Sequence, residues 1–253
     1  MSTSDASQIC TAALNHTITP SAAATSLTAP AASVLADPQA VEDALWEIWN
    51  ALLASATRTA PDQQGPLVDL LDAVKQLRGT SGEAVEFEFW GAKTTWRELP
   101  SLGMVFREQY GLESDNGGSG FVNLNAFAAR LTAAGVLDLS LYGIWTLRSV
   151  LEDQEPGQAA VEERSRGLES VAVWFVYSGR SMLELSREEK VFEGAVAVPG
   201  KSIADKQWKG YSKERWELWV VRFRKLHELA IAGEENGIVE KAAAEIDKIS
   251  QAK

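Results

Sequence analysis

From Asp37 onwards, hydrophobic positions recur every three to four residues, the period of an amphipathic helix. Val41, Leu45, Ile48, Trp49 and Leu52 fall on one face, after an N-cap candidate in Asp37 and a first-turn proline in Pro38. Leu67, Leu70, Leu71, Val74 and Leu77 predict a second helix, with Gly79 as its stop. In "AVEFEFW" the period changes to two, because Val85, Phe87 and Phe89 alternate with Glu86 and Glu88. This predicts one short extended piece, too little for a sheet. Helical spacing resumes near Pro100 through Leu102, Val105, Phe106 and Tyr110, and "LESDNGGSG" reads as a flexible loop. Further helices are predicted over "FVNLNAFAARLTAAG", from Asp138 through "LSLYGIWTLRSVLE", over "LESVAVWFVYSG", from Ser212, and over "GIVEKAAAEIDKIS". The expected fold is all-α, an irregular bundle of about seven to eight helices forming a single domain over residues 37–253. Residues Met1 to Ala36 are rich in Ser, Thr and Ala and lack a sustained period. They are expected to be a disordered tail.

Composition changes this picture little. With 45% hydrophobic and 23% charged residues in 253, the chain can bury a core without staples. Its single cysteine, Cys10, cannot form an internal disulfide, and no apolar run is long enough to span a membrane. The first basic residue is Arg58, which fits neither a secretory signal nor a mitochondrial presequence, so the expected location is cytoplasmic. A net charge of −11 argues against nucleic acid as a partner.

Candidate chemistry is sparse. His16 and His227 stand apart and there is no cysteine pair, so no metal site is expected. Glu152, Asp153 and Glu155 faintly resemble an aspartate-rich magnesium motif, but a solvated helix end explains them better. "DNGGSG" lacks the residues of a phosphate loop and "SGRS" the frame of a nucleophile elbow. In "WKGYSKERWELWVVRF" tryptophans alternate with basic residues. On a helix Trp216, Trp219 and Phe223 share the inward face, so core packing explains them first and a pocket wall second. Arg130 lies in an otherwise apolar run, Arg148 and Glu152 are spaced to pair along one helix, and Asn123 and Asn125 fall near a helix start.

Four strings, "FVNLNAFAARL", "IWTLRSVLE", "AVWFVYSG" and "WKGYSKERWELWVVRF", resemble in composition and order the blocks of a fungal family catalogued as domain of unknown function 3632. The resemblance runs from about Ala40 to Phe223 and takes in Asn123, Asn125, Arg130, Trp145, Arg148, Trp174, Trp208, Arg215, Trp216 and Trp219. It implies helical intracellular proteins, some accompanying specialised metabolism, and supplies no catalytic assignment.

The resulting expectation is a cofactor-free protein acting on an apolar small molecule, of the cyclase or Diels–Alder type that works by holding a reactive conformer. Trp145, Trp174, Trp208, Arg215, Trp216 and Trp219 would bind the ligand, and Arg130, Arg148 and Asn125 would orient or polarise it. The alternative is a non-enzymatic interaction or scaffold protein, in which the tryptophans are core and the partner is another protein.

Overall fold

The segment expected to be disordered is mostly helical. In a computed structural model describing residues 3–154, 161–230 and 237–251, Thr3–Leu14 form α1 and Pro20–Ala32 form α2. Alanine is the best helix former, and Thr19 caps α2 by accepting the Ala22 N–H at 3.2 Å. The buried faces are made of small side chains, Ala6, Cys10 and Ala13 in α1 and Ala23, Ala24 and Ala31 around Leu27 in α2. A hydrophobic period written in alanine is faint, which is why the sequence reads as featureless. Burial pushes the Cys10 thiol up to about 11. Native protein at pH 8 is therefore expected to react with iodoacetamide far more slowly than protein in denaturant. Labelling of native protein at the free-thiol rate would mean that α1 does not stay packed.

Two compact units are present, Met1–Leu124 and Asn125–Lys253. In the first, α1 packs on α3 (Pro38–Arg58) and α2 on α4 (Gly65–Lys75). Asp37 caps α3 as expected, accepting from the N–H groups of Gln39 and Ala40 at 3.1 and 3.2 Å. Trp49 is buried in this unit and its Nε1–H donates to the Pro100 carbonyl at 2.8 Å. Gln64 is buried too, and its amide nitrogen donates to the carbonyls of Ala56, Thr59 and Asn123. The helix stops at Lys75, before the expected Gly79, and the chain turns extended. Strand β1 (Glu86–Phe89) covers the predicted extended piece, and it is paired. Strand β2 (Ala92–Thr95) runs antiparallel to it, with Glu86 opposite Thr95 and Phe89 opposite Ala92. The sequence hides β2 because Ala-Lys-Thr-Thr has no apolar alternation. Phe87 anchors the hairpin inward against Trp96, ring centroids 5.0 Å apart.

Helix α5 (Leu102–Asn116) continues through most of the stretch expected as a loop. The break comes only at Gly117 and Gly118, whose φ values of 65° and 90° other residues rarely adopt. The unit boundary falls within α6 (Ser119–Ala133). The second unit contains α7 (Ser140–Leu151), α8 (Val161–Arg187), α9 (Lys213–Ala230) and α10 (Gly237–Gln251), with α8 packed on the other three. The fold is thus all-α apart from one two-stranded sheet, with ten α-helices among the described residues. The eight expected beyond Asp37 are α3 to α10.

Candidate functional site

The polar residues singled out in the sequence meet mostly in the second unit, around one buried ion pair. Arg215, on the first turns of α9, and Glu152, at the C-cap of α7, are both fully enclosed. The guanidinium grips the carboxylate with two parallel bonds, Nε to Oε1 at 2.7 Å and Nη2 to Oε2 at 2.9 Å. The Nε1–H of Trp219 donates to Oε1 at 2.5 Å and the Gly200 N–H to Oε2 at 2.9 Å. Arg215 Nη1 also donates to the carbonyls of Ala197 and Gly210, at 2.7 and 2.9 Å. Charge, donors and acceptors are thus matched inside the protein, the condition under which buried ions are tolerated.

Two sequence expectations are corrected here. Glu152 is no part of a solvated helix end. Nor is it held by Arg148: its partner Arg215 lies 63 residues away. Asp153 accepts the Lys201 N–H at 3.0 Å, while Glu155 lies outside the described residues. Among the described residues no three His, Cys, Asp or Glu side chains gather as metal ligands would.

Arg148 instead reaches the carbonyls of Val196 and Val198, each at 3.4 Å, and the Nε1–H of half-buried Trp145 donates to Val196 O at 2.7 Å. With Arg215 on Ala197 O, three consecutive carbonyls of the loop before Pro199 are held by side chains from α7 and α9. Loop backbone that packs against protein needs such partners. Close approach also explains Gly210, where a Cβ would stand 2.0 Å from the Lys190 carbonyl oxygen.

Asn125 occupies a second buried polar centre. Its Oδ1 accepts from Thr146 Oγ1–H at 2.6 Å and from Trp174 Nε1–H at 2.8 Å. Trp216 packs edge-on against Phe175 (5.6 Å between centroids), and Trp219 edge-on against Tyr211 (5.6 Å). Trp174 and Trp219 have no exposed surface and Trp216 has 7%. Burial raises the Tyr211 phenol, whose O–H donates to the Ser140 carbonyl at 2.8 Å. Trp208 is half-buried, its Nε1–H on Glu214 Oε2 at 3.0 Å and its ring 5.6 Å from the Arg215 guanidinium. Arg130 lies apart from the ion pair, over the face of Tyr177 at 3.8 Å.

Outside this group the sequence reading missed Trp90. It is 57% exposed at the tip of the β1–β2 hairpin, where the two central residues Trp90 and Gly91 have φ of 51° and 72°. Positive φ at both positions is the turn usually made by Asn-Gly. Phe89 stacks on the indole at 4.8 Å. The signal was the dipeptide Trp-Gly following an alternating strand.

These features define an all-α protein with a closed aromatic core built round a matched ion pair. The chain belongs to the family described as Protein of unknown function (DUF3632), whose model matches residues 49–223. The matched region contains Trp90, Asn125, Glu152, Arg215 and Trp219, and ends within α9. No curated protein and no solved structure matches the chain. No helix among the described residues is long and apolar enough to cross a membrane.

Proposed function

We propose that this is a non-enzymatic interaction protein that uses the tip of its β1–β2 hairpin as an aromatic anchor. The observation that carries the reading is Trp90, a large indole left 57% exposed at a positive φ of 51°. That position is unfavourable twice over. A bulky side chain in the left-handed region costs on the order of 1 kcal/mol, and the indole keeps most of its apolar surface in water. Asparagine or glycine would fill the turn without either cost. Residues that break a local rule without a local return are expected where a protein works. The exposed charges of the hairpin strands are Glu86, Glu88 and Lys93, which pairs with Glu86, so a net negative charge remains and the fitting partner is a protein with an apolar pocket rimmed by lysine or arginine.

The other reading, a cofactor-free protein acting on an apolar small molecule, draws less support. It needs open space beside tryptophans that here are enclosed and engaged through their ring N–H groups. Trp90→Asn separates the two. The variant is expected to unfold at equal or higher denaturant concentration than the wild type, by up to about 1 kcal/mol. It is also expected to lose a partner that the wild-type protein retains from the producing cell and binds again when both are pure. Identical partners for the two proteins, or saturable quenching of Trp174 and Trp219 fluorescence by an apolar metabolite fraction, would overturn the proposal.

A further inference from the structure

We propose that a cleft in the first unit binds a small zwitterion of the amino-acid or dipeptide type, its carboxylate at Arg58 and its ammonium at Asp62. The cleft has a volume of about 610 Å³ and is formed where α1 and α3 end, around the short turn Pro61–Gln63, and where α4 begins. That is the size of a small-molecule site.

Its charges carry the inference. Arg58 and Asp62 both line the cleft, yet they do not form an ion pair with each other. Among the described residues neither makes a hydrogen bond or ion pair elsewhere. A ligand with one charge would be attracted by half of this wall and repelled by the other half. A zwitterion satisfies both. Leu14 and Pro66 add apolar surface for a side chain. This inference is independent of the hairpin reading.

The test is calorimetric titration at low ionic strength with the dipeptide Leu-Leu, its N-acetyl derivative and its C-terminal amide. Leu-Leu is expected to bind, with each singly charged derivative weaker by about tenfold or more, corresponding to about 1.4 kcal/mol. Arg58→Gln and Asp62→Asn should each weaken Leu-Leu comparably without moving the melting temperature, because both residues are exposed. Trp90→Asn should bind it unchanged. No binding at millimolar Leu-Leu would overturn the proposal. So would N-acetyl-Leu-Leu binding as well as the parent, which would make the cleft a plain anion site.

Discussion

Arg215→Ala is expected to cost about 3–5 kcal/mol of folding stability, the range seen when one partner of a buried ion pair is removed. The Glu152 carboxylate would stay enclosed, with the donors of Trp219 and Gly200 but no counter-charge. The carbonyls of Ala197 and Gly210 would lose their donor at the same time. At roughly 2–4 °C per kcal/mol for a chain of this size, the melting temperature should fall by about 10 °C. Lysine is no substitute, because one ammonium cannot reproduce the two-pronged grip on the carboxylate. The double variant Glu152→Leu/Arg215→Met should recover much of the loss, since an apolar pair needs no matching charge. Urea denaturation of the wild type, Glu152→Leu, Arg215→Met and the double variant gives the coupling directly. If Arg215→Ala melted like the wild type and lost ligand or partner binding instead, Arg215 would be a functional group and not a structural one.

Asn125→Leu is expected to cost about 2–5 kcal/mol, since two buried donors, the Trp174 indole N–H and the Thr146 hydroxyl, lose their shared acceptor. Trp174 has no exposed surface and Thr146 only 1%, so water cannot replace the oxygen without opening the core. Restoring the match from the other side, with Thr146→Val in the Asn125→Leu background, should return part of the stability. Near-ultraviolet circular dichroism should show a changed Trp174 environment in the single variant. A stable Asn125→Leu protein with native spectra would refute the structural role and return Asn125 to the candidates for ligand orientation.

How far the sequence could be read depended on what makes each element visible. Helices α3, α4 and α6 to α9 carry large side chains on one face, so their period is plain. The α1 and α2 helices bury mostly alanine, whose period is too faint to tell from a tail. Strand β2 is held by its register with β1, and nothing in Ala-Lys-Thr-Thr announces it. The inward face of "WKGYSKERWELWVVRF" was legible, because Trp216, Trp219 and Phe223 are core residues at helical spacing. The purpose of Arg215 was not. A partner 63 residues distant leaves no local trace, and the nearer pairing of Glu152 with Arg148 was the natural but wrong inference. The exposure of Trp90 is not legible in the sequence, because it is a property of the folded hairpin.

The Arg215–Glu152 pair also constrains how the family can diverge. Either residue can be replaced alone only by way of a protein carrying an uncompensated buried charge. The two positions should therefore behave as a single heritable unit. In any relative whose residue at 215 is apolar, the one at 152 should be apolar too, and the Gly200 amide should have found a different acceptor.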